Sequence, residues 1–552
     1  MQAKNIFRFT GLAVLGWVLV GTILYPALSS LAVSLTRQGV FSTGWYREFL
    51  FSSSGMEVLG NSILLGLLTV LCCGLVGTAL AFFVNFFRFP GRSVVDKLLL
   101  LPIMMPGIII VFAFMQLYGE SGLVTKSIEI LFGLKSTPYE FNGLSGILFV
   151  HTYTQYVYFY LAVSISLKQM DWAVIESARS LGASRRRVFF SIIVPLIAPA
   201  LITSSAVTFM TGIGSFTAPS IIGGSFKVLT TRILLSKANN YMELAAAQAM
   251  ILTAVSLLFF IFFRWYERRK ITNPTARSVP LRPVFIRSHF ARTLVLALTW
   301  LTVILILLPF VVIIIFSFVD SGSLMVSIFP DRFTMDNYAA VFSRRRVLEP
   351  FVNSMTMSLA AAGVCACVAL PSAWLLEKSR FRFRWALDIL VMLPWAMPAT
   401  AIAVNIINAA ARPGVFTFNT VLVGTYVLLP VGYFVRSLPI AVKTVQLAFQ
   451  DLNDSFLEAS RSLGMSGVTT FRRVVLPLLY PGILAGFILV FVHSIGEYTV
   501  SAFLYTVGNK PVSIAMVNAV FEYDTGLAMA YGTLLILLTV ILSMAIGRFR
   551  RA

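Results

Sequence analysis

Apolar residues in this chain gather into long runs separated by short polar, mostly basic segments. A helix needs about twenty apolar residues to cross the hydrocarbon core of a bilayer. Runs of that kind fall near 9–35, 58–86, 94–118, 144–167, 193–215 and 243–263. A second series falls near 293–318, 350–376, 386–410, 418–438, 476–505 and 526–546. The pattern predicts an all-α polytopic membrane protein with about twelve transmembrane helices. Lys4 and Arg8 precede the first run, as in a signal peptide. That run is too long for such a peptide's apolar core and lacks a small-x-small cleavage site, so it reads as a retained anchor.

Composition agrees. Of 552 residues, 58% are hydrophobic and 12% charged, against about 25% charged in a soluble domain. The net charge of +21 changes meaning when taken loop by loop. With alternate crossings, one side collects Lys4 and Arg8; Arg88, Arg92 and Lys97; Lys168, Arg179 and Arg185 to Arg187. The same side collects the basic residues between Arg264 and Arg292, Lys378 to Arg384, Arg436 to Arg473, and Arg548 to Arg551. The other side is balanced. The excess marks the cytoplasmic face and puts both termini there. Anionic lipid is then a sufficient partner for these loops, and no nucleic acid is required. Cys72, Cys73, Cys365 and Cys367 lie in apolar runs with no zinc-type spacing, and read as buried thiols.

The chain also repeats itself. Asn61-Ser62 recurs as Asn353-Ser354, an offset of 292, which also carries Arg88-Phe89 onto Arg380-Phe381 and Asp96 onto Asp388. Leu-Pro-x-x-Met-Pro holds at Leu101 to Pro106 and at Leu393 to Pro398. Further on the offset is 282, so the second copy has lost ten residues around the outer loop between its third and fourth runs. Six runs per copy is an even number, so the copies are parallel repeats. Residues 1–263 form the first six-span unit and 293–552 the second. The basic segment 264–292, with Pro274, Pro280 and Pro283, reads as a cytoplasmic linker.

The strongest internal match lies between the fourth and fifth runs of each copy. Over 27 residues starting at 175 and at 457, ten are identical without a gap. The first copy holds Glu176, Ala178, Arg179, Gly182 and Pro195; the second holds Glu458, Ala459, Arg461, Gly464 and Pro477. Small and charged residues at helical spacing predict a short surface helix. Gly182 and Gly464 would end it in a left-handed cap. The result is a protruding elbow in each copy, with Glu176 and Glu458 placed to cap it or to pair with Arg179 and Arg461. These residues resemble the E-A-A…G loop of ATP-binding-cassette importer permeases, and the resemblance covers nearly the whole chain as two fused permease units. It implies that each elbow couples to an ATPase subunit. Ser177 and Ser460 depart from the alanines of that pattern.

A chain that hydrolysed ATP would need a G-x-x-x-x-G-K-[ST] loop, and no Gly-Lys dipeptide occurs. The resemblance therefore implies no enzyme activity and no cofactor in this chain. It also implies that ATP is bound by two separate subunits and that a periplasmic or surface-anchored binding protein delivers cargo. The location implied is a bacterial cytoplasmic (inner) membrane.

Fused permeases for ferric iron are the most similar branch, through Glu497-Tyr-Thr-Val-Ser501 and Pro511-Val-Ser-Ile. Phosphonate, thiamine, sulfate and polyamine permeases are relatives, and Phe216 to Gly224 is similar to the polyamine branch. No metal-binding cluster is evident. Ionisable residues inside spans are functional candidates, because burying them is costly. His493 and Glu497 are four apart on one helical face, near the outer end of the eleventh run. They line the pathway or form a satisfied structural pair. Gly214 to Thr217 aligns with Gly496 to Thr499, with Ser215 in place of Glu497. His151 with Tyr153, Tyr156, Tyr158 and Tyr160 could suit a hard metal, but tyrosine is common at membrane interfaces and the interfacial reading is preferred. A secondary transporter would place its signature between the second and third runs and carboxylates mid-span. A membrane enzyme would need a cluster of His or carboxylates.

Overall fold

Backbone groups in lipid have no water to bond, so an apolar run must close its own hydrogen bonds, and a helix does this within one segment. The computed structural model describes residues 2–268, 284–285, 288–323, 329–379 and 381–549. Most of the predicted linker, Arg380 of the repeat and the last three residues therefore lie outside the described residues. Among the described residues, ten helices are long and apolar enough to cross a membrane, or eleven when one bent pair is counted as a span. The remaining predicted run, 144–167, is a 27-residue helix, Gly143–Gln169. Its apolar character is interrupted by His151, Thr152, Thr154 and Gln155. The spans are numbered one to twelve below in chain order, with Gly143–Gln169 as span four.

Span ten differs from its prediction. The apolar segment 418–438 suggested a helix there, but the helix is Leu428–Asp451. Pro413 and Gly414 follow span nine, a 3₁₀ turn occupies Val415–Thr417, and Phe418 and Asn419 take left-handed conformations. Helix cannot propagate through two consecutive left-handed residues.

The Leu-Pro-x-x-Met-Pro repeat marks a break in span three and in span nine. Met105 and Met397 are extended, as expected for a residue that precedes proline. In the second repeat, Arg384–Ala396 and Ala399–Ala410 meet at 112°. A second proline rule operates elsewhere. Each of the three π turns among the described residues, Val20–Leu24, Phe189–Ile193 and Phe471–Val475, ends two residues before a proline, at Pro26, Pro195 and Pro477. Proline lacks the N–H for the i−4 carbonyl and crowds it, so the preceding turn widens.

Two compact units result, and they cut across the repeats. One comprises residues 1–49, 233–251 and 316–552; the other comprises 50–232 and 252–315. In the first, span one (Thr10–Ser34) packs with the second repeat. Asn408 Nδ2 donates to Ser30 Oγ at 2.8 Å, and the Phe416 ring lies 5.6 Å from that of Trp17. A Cβ at Gly21 would come within 2.4 Å of the Phe416 ring, so this approach requires glycine. In the other unit, span seven (Arg292–Ser317) packs with the first repeat: Val303 and Ile306 join its core, and Tyr153 donates to the Ile306 carbonyl at 2.6 Å. Val284–Phe285 pairs in parallel with Phe87–Arg88, which puts the end of the linker on the same side as the loop after span two.

Candidate functional site

Each elbow is built by the same local rules. In the first, Asp171 caps the helix Trp172–Ser180 by accepting from Ala173 N at 3.0 Å. In the second, Asn453 accepts from Ser455 N at 3.0 Å and starts Asp454–Ser462. Such caps satisfy backbone donors left over at a helix start. Both helices end alike. Gly182 N–H bonds the Arg179 carbonyl at 2.9 Å and Ala183 N–H the Ala178 carbonyl at 3.0 Å. Gly464 N–H bonds Arg461 at 2.9 Å and Met465 N–H bonds Ser460 at 3.1 Å. This double closure is the Schellman motif, with φ of +83° at Gly182 and +75° at Gly464. Ser184 and Ser466 then cap the next short helices, which pass through the π turns into spans five and eleven.

The corners are exposed. Leu181 is 88% exposed and Leu463 79%. Neither glutamate behaves as the sequence suggested: Glu176 accepts from the Trp172 indole at 2.9 Å, and neither Glu176 nor Glu458 pairs with Arg179 or Arg461 among the described residues. Ala178 and Val188 belong to one hydrophobic cluster. Adding 282 gives Ser460 and Thr470, whose buried hydroxyls bond at 2.6 Å. The departure at Ser460 is thus half of a matched exchange, an apolar pair for a hydrogen-bonded one.

A second repeated feature follows spans five and eleven. Asn61 Nδ2 donates to the Lys227 carbonyl at 3.0 Å, and Ser62 Oγ accepts from Leu229 N at 2.7 Å. Asn353 and Ser354 do the same to Lys510 and Val512, at 3.2 and 2.8 Å. The Asn-Ser pair in each repeat is a clasp on this segment.

Inside the clasp the two repeats diverge. In the first, His151 bridges Thr69 Oγ1 at 2.9 Å and Ser215 Oγ at 2.8 Å, and Thr211 donates to Gln155 at 2.6 Å. Tyr156 bonds the Leu99 carbonyl and Tyr160 bonds Asp96. These tyrosines are core groups, which corrects the interfacial expectation. In the second repeat Glu497, 7% exposed, stands where Ser215 does. Its Oε2 lies 3.0 Å from Arg436 Nε, and its Oε1 accepts from Val500 N at 3.0 Å, capping the short helix Thr499–Leu504. Ser501 and Ser513 both donate to its carbonyl. His493 Nδ1 lies 3.2 Å from Ser437 Oγ. His493 and Glu497 therefore share a polar cluster without bonding each other, and the carboxylate's partner is Arg436.

The sequence reading missed Arg436, placing it in a cytoplasmic loop beyond span ten. It lies within the helix Leu428–Asp451. Carrying span four forward by 282 would have put span ten near 426–449 and Arg436 inside it. The thiols need a similar correction: Cys73 and Cys365 are buried, but Cys367 is exposed.

Comparison with known proteins agrees with this architecture. The family model described as "Binding-protein-dependent transport system inner membrane component" matches twice, at residues 73–272 and 367–552. A probable ABC transporter permease protein, y4fN, of Sinorhizobium fredii is 32% identical over 97% of this chain and 95% of its own length. The ferric transport system permease protein FbpB of Actinobacillus pleuropneumoniae is 25% identical over 93% of this chain and 74% of its own. The sulfate transport system permease protein CysT of Salmonella typhimurium is 26% identical over 38% of this chain and 79% of its own. With the family domain present twice and a relative matched end to end, the chain belongs to the inner membrane components of binding-protein-dependent transport systems.

Proposed function

We propose that this chain forms the translocation pathway of an importer for ferric iron. Its two elbows dock separate ATP-hydrolysing subunits, and a substrate-binding protein feeds it from outside. The observation that carries the coupling role is the pair of Schellman corners, each presenting an exposed leucine just before a left-handed glycine. A rigid helix-corner-helix knob transmits a push, whereas a loop lying on headgroups would absorb it. The roles of Glu176, Ala178, Arg179, Gly182 and Pro195, and of Glu458, Ala459, Arg461, Gly464 and Pro477, are to shape these knobs and join them to spans five and eleven. His493 and Glu497, with Arg436, belong to the pathway wall of the second repeat.

The choice of iron rests on length. Ferric permeases align over 88–97% of this chain, whereas the sulfate permeases align over 36–39%. The test is uptake of radiolabelled ferric iron and of radiolabelled sulfate by cells with and without this chain. The expected result is loss of iron uptake alone. Loss of sulfate uptake with iron uptake intact would overturn the substrate and leave the permease role standing.

A further inference from the structure

Asn405 lies in the second limb of span nine, 2% exposed, and neither its Oδ1 nor its Nδ2 has a protein partner. A buried amide left unpaired is costly, and native interiors almost always satisfy such groups with protein or water. The Asn405 side chain lines a cavity of about 10 Å³, room for a single water. Thr22, Pro26, Pro394 and Met397 form part of the wall, and the rest is aliphatic.

Two wall residues carry carbonyls that a proline deprives of the ordinary i+4 donor. Pro26 has no N–H to offer Thr22, four residues earlier, and Pro398 has none to offer Pro394. A primary amide donates twice and accepts twice, so it matches a water shared with such carbonyls. In lipid the orphaned groups of a broken helix must be satisfied from within the protein or by ordered water. No wall residue is acidic, which favours a neutral guest over a cation. Repeat one has Ala113 at the equivalent position, offset 292, so the arrangement belongs to the second repeat alone.

We propose that this cavity is a binding site for one water, held by the Asn405 amide and by backbone carbonyls of the span-one and span-nine breaks. The water pins the 112° joint between Arg384–Ala396 and Ala399–Ala410. Joined in this way, the two limbs meet within the membrane without leaving unbonded backbone facing lipid.

Radiolytic hydroxyl labelling reads bound water directly, because radicals form from the water itself and oxidise the nearest side chain. Met397 is the reporter. Met357 and Met529, both 0% exposed and outside the cavity wall, are internal controls. The full chain in lipid nanodiscs is irradiated and its methionine peptides are quantified by mass spectrometry. Met397 is expected to oxidise several-fold faster than Met357 and Met529. In Asn405→Leu, which fills the cavity with an apolar side chain, the rate should fall to that of the controls. Equal rates at all three methionines in the unaltered chain would overturn the site, and this holds even if the variant fails to fold. Unchanged Met397 labelling in a folded Asn405→Leu would overturn the role of the amide. Labelling lost when sodium is replaced by choline would make the guest a cation and overturn the assignment to water.

Discussion

Glu497 is held by three kinds of bond at once: an ion pair to Arg436, a cap on Val500 N, and a carbonyl that takes two serine hydroxyls. Removing one member of a buried ion pair leaves the other charge uncompensated, at about 3–5 kcal/mol when burial is complete. The Arg436 side chain retains 28% exposure, so solvent screening brings the expected loss to about 1–3 kcal/mol. Glu497→Gln keeps an oxygen for the Val500 cap and deletes only the charge. It should lower the melting temperature of the purified permease. Arg436→Gln should do the same, and the double variant should recover much of the loss. A double-mutant cycle on thermal unfolding measures this coupling; additive losses would mean that the ion pair is incidental. Uptake separates structure from transport: a pathway role leaves the stable double variant slow, whereas a purely structural one restores it.

Elements were legible where their signals were local. Glycine corners, caps and X-Pro breaks depend on neighbouring residues, and the elbows were predicted with their left-handed glycines. Two elements were not. The stretch from Phe418 to Val427 is rich in apolar residues and runs on into span ten, and Pro413-Gly414, Asn419 and the repeat register mark it as loop. Pairing of Glu497 with Arg436 depends on that register, so a shift of ten residues hid it. The exchange of spans one and seven between the compact units is a tertiary choice that no local pattern encodes. For the elbows, the glycines allow a sharp test. A Cβ at Gly182 or Gly464 meets nothing within 4 Å in the chain itself, so alanine adds backbone strain alone, about 1–2 kcal/mol per corner. Asparagine tolerates the left-handed region better. Gly182→Ala with Gly464→Ala should leave the permease inserted but loosen ATPase retention on copurification. If strain is the cause, the paired asparagine variant should retain more ATPase than the alanine pair. If the asparagine pair is worse, a tight contact at the corner is what matters, as when a partner surface closes over Leu181 and Leu463. Normal retention and uptake in both pairs would remove the coupling role.

At the scale of the whole molecule the argument is about sides. Basic residues crowd the segments on one face, which sets orientation through short loops near span ends. Moving Arg436 into span ten takes one charge from that face and leaves its excess intact. Geometry adds an independent tie. Val284–Phe285 pairs with Phe87–Arg88, so the end of the linker and the loop after span two share a side whatever the orientation. If the helix Gly143–Gln169 crosses the membrane despite its polar residues, six crossings separate the N-terminus from the linker, and twelve separate it from the C-terminus. If it did not cross, every later segment would change sides, and both elbows would lie on the outer face, away from the ATPases. Reporter fusions resolve this. Fusions at Thr275 and at the C-terminus should read cytoplasm, and fusions at Ser136 and Ser323 should read the outside. The pair Ser136 and Thr275 carries the weight, because spans four, five and six lie between them. Opposite sides require an odd number of crossings there, and hence a crossing by span four. A shared side for Ser136 and Thr275 would reduce the first repeat to five crossings and undo the parallel arrangement on which both elbows depend.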